Sequence, residues 1–219
     1  MTQMVEQTDR QTVKPGKPDS LFGAERLIAL SDGVFAIAIT LLVLDLRLPD
    51  MAATVSQGEF AAALARVLPA VMGNAVSFTV IGMFWLAHHR LMRFMESVNM
   101  RFAVLNLLLL FWIAMLPFPT RVLWQYAPQQ QGAVILYAAN MAAAGLTITL
   151  LYWYAGHHRA LLHDIITPRQ LRKLLVLSLL VPVVFLLSIG IAFVNTEVAM
   201  FFWLTTLVGR MALVRVLKI

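Results

Sequence analysis

The stretch Arg26-Leu27-Ile28-Ala29-Leu30-Ser31-Asp32-Gly33-Val34-Phe35-Ala36-Ile37-Ala38-Ile39-Thr40-Leu41-Leu42-Val43-Leu44 decides the fold of this chain. A hydrocarbon core of about 30 Å needs roughly 20 apolar residues at about 1.5 Å each, so the run is long enough to cross a bilayer as a helix. It nevertheless carries an acid, Asp32, about 9 Å along the helix from Arg26. A carboxylate at the bilayer centre costs roughly 2.5–3.5 kcal/mol, and less nearer the headgroups, so Asp32 is expected to face protein and not lipid. At about 100° per residue, Leu30, Val34, Ile37, Leu41, Leu44 and Leu48 fall on one stripe. Ser31, Asp32, Phe35 and Ile39 fall on the opposite face. The helix therefore has a polar back that needs partners and an apolar front, which by itself reads as a lipid or helix-packing surface.

Working outward, the whole chain is built on the same plan. Of its 219 residues 60% are hydrophobic and 13% charged, about half the charge of an ordinary soluble domain, which excludes a water-soluble globule and a disordered or coiled-coil chain. Six apolar runs are expected to span the membrane: Arg26 to Leu46, Ala61 to Ala87, Phe102 to about Leu116, Gly132 to Ala155, Leu174 to Ile191 and Val198 to Leu213. Pro117 and Pro119 are expected to end the third, and Pro182 to kink the fifth without breaking it. Residues 1–25 are polar and read as a cytoplasmic tail, leaving 26–217 as one six-helix transmembrane domain. No signal peptide is apparent ahead of the first span, which is expected to stay uncleaved.

Basic residues set the orientation. Fourteen of the 17 Lys and Arg lie on one side: Arg10, Lys14, Lys17 and Arg26, then Arg90, Arg93 and Arg101, then Arg159, Arg169, Arg172 and Lys173, and finally Arg210, Arg215 and Lys218. Arg47, Arg66 and Arg121 lie on the other. By the positive-inside rule both termini are cytoplasmic, which an even number of spans also requires. The alternation makes nonspecific headgroup binding the smaller part of what the net charge of +6 does.

Matching depth proposes partners for the polar back of the first helix. Trp85, His88 and His89 close the second run at its cytoplasmic end, and Asn106 lies about 7 Å inward from Arg101 in the third. Indole and imidazole N–H groups and an amide can all donate to a carboxylate. Arg26, Ser31, Asp32, Trp85, His88, His89 and Asn106 are thus expected to form a hydrogen-bonded network fastening the first helix to the second and third, with proton relay as the alternative role.

Arg26-x-x-x-Leu30-Ser31-Asp32, continued by Gly33 to Leu44, resembles the R-x-x-x-F-S-D signature of the transmembrane protein 175 potassium channel family, and its bacterial members most of all. The resemblance continues in Phe84-Trp85-x-x-His88-His89-Arg90 and in Asn106 to Pro119; it covers nearly the whole chain and is specific over the first half. Leu30 stands where the family has Phe. The resemblance implies a homotetramer in the bacterial inner membrane, with the four first helices lining a central pore, no carbonyl selectivity filter, potassium as the permeant ion and no cofactor. It further implies that Ile37 forms the narrowest apolar ring, that Leu41 and Leu44 form further rings toward the outside, and that Thr40 contributes to preferring potassium. Rings of branched aliphatic side chains can shut a pore by steric closure or dewetting. Asp45, Asp50, Glu59 and Glu197 lie at the expected outer mouth and could concentrate cations; Asp50 and Glu59 read as solvated loop acids.

The remaining signals are weaker. His157, His158, His163 and Asp164 crowd one cytoplasmic connection, but their spacing does not make a single helix-face metal site. Trp112, Trp124, Trp153 and Trp203 read as core or interfacial anchors, and Ala142 to Gly145 as a close helix contact. Without cysteine there is no thiolate chemistry, and no phosphate-binding loop, serine triad or nucleic-acid motif appears. Three functions compete: a passive potassium-selective channel, a proton- or ion-coupled secondary transporter titrating at Asp32 with His88 or His89, and an intramembrane enzyme. The transporter reading lacks inverted repeats with broken helices, and the enzyme reading lacks a catalytic constellation.

Overall fold

The computed structural model describes residues 22–44, 46–48, 54–163 and 166–217. In chain order these form β1 (Phe22–Gly23), α1 (Ala24–Leu44), α2 (Gln57–Met92), β2 (Ser97–Val98), α3 (Met100–Met115), α4 (Pro117–Tyr126), α5 (Gln131–His157), a 3-10 turn (Arg159–Leu161), α6 (Pro168–Ala192), α7 (Thr196–Phe202) and α8 (Leu204–Leu217). Among the described residues six stretches are long and apolar enough to cross a membrane: Ala24–Leu44, Gln57–Met92, Met100–Tyr126, Gln131–His157, Pro168–Ala192 and Thr196–Val216. The chain is an all-α, multi-pass membrane protein.

Several boundaries differ from expectation. Residues 22–25, assigned to the tail, belong to the fold: Phe22 and Gly23 pair antiparallel with Val98 and Ser97, and Ala24 opens α1. A two-residue ribbon carries too little periodicity to be seen in a sequence. Pro117 and Pro119 do not end the third span. Leu116 keeps a right-handed helical conformation and its N–H turns to the Ile113 carbonyl at 3.2 Å; Pro117 then starts α4, where a missing N–H costs nothing. The sixth span likewise changes helix at Trp203 and continues to Leu217.

The second span has 36 residues, about 54 Å, and must protrude from a hydrocarbon core or tilt strongly across it. Its N-terminal end is closed by a capping box: Glu59 N–H donates to Ser56 Oγ at 3.2 Å, and Glu59 Oε2 accepts from the Ser56 N–H at 2.9 Å. Glu59 is thus a helix-capping carboxylate, correcting its reading as a loop acid; the Ser-x-x-Glu spacing that announces it is in the sequence. Pro182 lies inside an unbroken α6. A Cβ on Gly145 would come within 2.7 Å of the Pro182 ring, so the small residues of α5 admit the proline face of α6.

The core is centred on α5, where Val134, Ala138, Leu151 and Ala155 are fully buried. α1 packs against α2 and α3, leaving its far side outward. At the basic-rich end the connections tie to each other: Glu96 N–H donates to the Leu161 carbonyl at 2.8 Å and His163 N–H to the Phe94 carbonyl at 2.9 Å.

Candidate functional site

α1 has two sides. Ala24, Leu27, Ser31, Phe35, Ala38 and Leu42 are buried at helical spacing, the edge that α2 and α3 cover. Leu30, Ile37, Leu41, Leu44 and Leu48 are exposed, Ile37 at 59% and Leu44 at 66%, with Val34 half-buried among them. As far as Leu44 this is the stripe read from the periodicity, an apolar seam along the helix; Leu48, counted into it by the same period, lies beyond the end of α1 in non-helical chain. Thr40 is exposed beside it, its hydroxyl donating to the Ile37 carbonyl at 2.9 Å, so that its oxygen lone pairs remain free to accept.

Opposite the seam, polar contacts hold α1 at two depths. His88 Nε2–H donates to Asn106 Oδ1 at 2.7 Å, Asn106 Nδ2–H to Ser31 Oγ at 3.0 Å, and the Ser31 hydroxyl to the Leu27 carbonyl at 2.7 Å. The chain of donors runs one way from α2 through α3 to α1, and Ser31, His88 and Asn106 are all buried. Beside it, Trp85 Nε1–H donates to Asp32 Oδ1 at 2.8 Å, giving the carboxylate a directed partner inside the protein. The Phe35 ring sits 5.7 Å from that of His88. His89 joins through its ring alone, 5.5 Å from the Trp85 indole, and its Nδ1 is buried without a partner. Arg26 is exposed and makes none of these bonds.

The second depth was not read from the sequence. Asn74 Nδ2–H on α2 donates to the Leu42 carbonyl at 2.7 Å, satisfying one of the four carbonyls that the last turn of a helix leaves open. Leu42 lies about 16 Å above Ser31 along α1, so the helix is gripped near both ends. A lone amide inside the apolar run of α2 was the available signal. Its partner could not be known, because a backbone carbonyl leaves no trace in a sequence.

Asp45 and Asp50 lie outside the described residues, as does Asp164. Glu197 is exposed in the first turn of α7. His157 and His158 do not converge: their Nδ1 atoms lie 2.9 and 3.1 Å from the Trp153 and Tyr154 carbonyls one turn back, and their rings pack on those same aromatics. Trp203 Nε1–H donates to Ser188 Oγ at 2.9 Å, and the Trp124 indole occupies the space that a Cβ on Gly73 would need.

Comparison with known proteins adds a second line of observation. Residues 26–117 match the family described as the endosomal/lysosomal potassium channel TMEM175. A potassium channel of Streptomyces collinus is 32% identical over 178 residues, covering 80% of this chain and 85% of that one. The mouse protein named as the endosomal/lysosomal proton channel TMEM175 is 30% identical over 145 residues, which span 64% of this chain but 29% of its own length. The crystal structure of a lysosomal potassium-selective channel TMEM175 homologue from Chamaesiphon minutus superposes with a TM-score of 0.72 at 26% identity, covering 90% of this chain and 98% of that one.

Proposed function

The chain belongs to the TMEM175 potassium channel family, and from that membership we propose that it conducts potassium passively through a homotetrameric pore walled by the exposed seam of α1. One observation carries this reading. α1 is strapped to its own subunit along the whole of one edge, yet presents Ile37, Leu41 and Leu44 outward in register along the other.

Four copies about a common axis would place Ile37 in the tightest ring, with Leu41 and Leu44 as further rings toward the outer mouth. Such rings shut the pathway by leaving too little room for a hydrated ion and by expelling water, and a modest splay or rotation of the helix opens it. Thr40, one step round from the rings, offers a hydroxyl oxygen to a partly dehydrated potassium ion. The straps formed by Ser31, Asp32, Trp85, His88, Asn106 and Asn74 transmit any movement of α2 and α3 to the seam. The subunit sits in a bacterial inner membrane with both termini cytoplasmic, its basic connections facing the anionic inner leaflet.

The test is a reversal potential. Purified protein in a planar bilayer between potassium and sodium solutions at equal pH should reverse near the potassium equilibrium potential, and imposing a proton gradient with symmetric potassium should leave the reversal near zero. A reversal that follows the proton gradient would replace potassium by protons as the permeant ion. Flux occurring only with a proton gradient would establish a coupled transporter in place of a channel.

A further inference from the structure

Away from the α1 seam, a cavity of about 740 Å³ opens between α2, α5, α6 and the α7–α8 pair. Its wall is mostly apolar, with Met83, Met141, Ile148, Leu177, Val181 and Phe185 among the lining side chains. Two arginines break that pattern: Arg90 from the last turn of α2 and Arg210 from α8. Both line the same cavity as the phenol of Tyr152. Tyr152 gives them no negative charge, since its proton is directed to the Ala87 carbonyl at 2.8 Å. Among the described residues the acid that lines the cavity is Glu197, thirteen residues before Arg210 and so about 20 Å away along α7 and α8.

Arg210 is half-buried on a largely apolar cavity that Arg90 also lines, and a partly desolvated guanidinium there is costly without an anion to hold. The guanidinium fork matches phosphate oxygens bidentately, and basic pockets between transmembrane helices suit anionic headgroups. We propose that this cavity binds an anionic phospholipid, with its phosphate between Arg90 and Arg210 and an acyl chain laid along the apolar wall toward Trp203. The dimensions agree: one leaflet offers about 15 Å of hydrocarbon depth, and the wall from Arg210 to Glu197 runs about 20 Å. A free phosphate would satisfy the arginines but leave the apolar wall wet, whereas a diacyl lipid covers both. Arg90, exposed to solvent, sits where a headgroup would emerge from the basic-rich face.

Native mass spectrometry of the purified protein decides this without reference to conduction, so its failure would leave the channel reading intact. The probes are phosphatidylglycerol and phosphatidylcholine with identical acyl chains, and inorganic phosphate. Unaltered protein should retain phosphatidylglycerol roughly tenfold better than phosphatidylcholine, because both offer a phosphate but the choline ammonium of the second would lie beside the two arginines and be repelled. The pair Arg90→Gln and Arg210→Gln should abolish that preference, while Arg90→Lys with Arg210→Lys, which keeps the charge and loses the fork, should retain part of it. Ser178→Trp, which fills the wall and spares both arginines, should lose the bound phosphatidylglycerol; with the lysine pair it decides the matter even if the glutamine pair fails to fold. Equal retention of the two lipids by the unaltered protein, or an unchanged preference in the glutamine pair, would overturn the proposal. So would phosphatidylglycerol binding that inorganic phosphate displaces and Ser178→Trp leaves untouched, which would make the arginines a free-anion site.

Discussion

Replacing Asn106 by leucine removes the middle of the strap between α1, α2 and α3 while keeping the number and branching of the side-chain heavy atoms. Asn106 is fully buried and makes two interhelical hydrogen bonds, 2.7 Å to His88 and 3.0 Å to Ser31. Interhelical hydrogen bonds in membranes contribute about 0.6 kcal/mol on average and up to about 1.7, so two of them amount to roughly 1–3 kcal/mol. The loss falls in the upper half of that range, because the buried His88 N–H is left without an acceptor while the Ser31 hydroxyl keeps the Leu27 carbonyl. Removing the stranded donor as well, with His88→Phe, should recover part of the cost, since deleting both partners of a buried hydrogen bond is far milder than deleting one. Unfolding by dodecyl sulfate in mixed micelles, followed by tryptophan fluorescence, measures the four corners of this cycle. The expected coupling between positions 88 and 106 is about 1 kcal/mol or more. Additive single-variant effects, or a cost for Asn106→Leu below about 0.5 kcal/mol, would refute the claim that this chain of donors fastens α1.

Three further outcomes follow from the same geometry. Ile37→Asn places an amide in the proposed tightest ring and should raise basal potassium flux into liposomes severalfold while narrowing the gap between potassium and sodium; unchanged flux would remove Ile37 from the pathway. Asn74→Ala frees the Leu42 carbonyl and should cost up to about 1.7 kcal/mol in the same micellar unfolding assay, a stability loss independent of the Asn106 strap about 16 Å away. Gly73→Ala drives a methyl into the Trp124 indole and should destabilise by about 1–3 kcal/mol, with a shift in tryptophan emission, and Gly73→Ala combined with Trp124→Leu should regain much of the loss.

The two sides of α1 were legible because each obeys a rule that needs no partner to be known. A carboxylate in a hydrophobic run must turn toward protein, and residues spaced by three and four share a face. Trp85, His88 and Asn106 could be proposed as neighbours of Ser31 and Asp32 because the membrane restricts each helix to nearly one dimension, so that counting residues from a charged end measures depth. Depth does not measure angle. His89 and Arg26 lie at the right level yet outside the hydrogen-bonded set, because the rotation of each helix about its axis turns one side chain in and the next away. The third span was placed correctly and ended too soon, since Pro117 stops a helix only where its N–H is required.

What the sequence determined alone was the solvent this chain folds in, the number of crossings and the two-sidedness of α1. These follow from local hydropathy and the 3.6-residue period, and both act over a few turns of a single helix. Tertiary structure decided the rest: the Asn74 grip on the Leu42 carbonyl, the contact of Gly73 with Trp124, and the placing of Arg90 and Arg210 on one cavity. Each joins groups far apart in the chain through backbone atoms, missing side chains or helix rotations, none of which any local pattern of residues encodes.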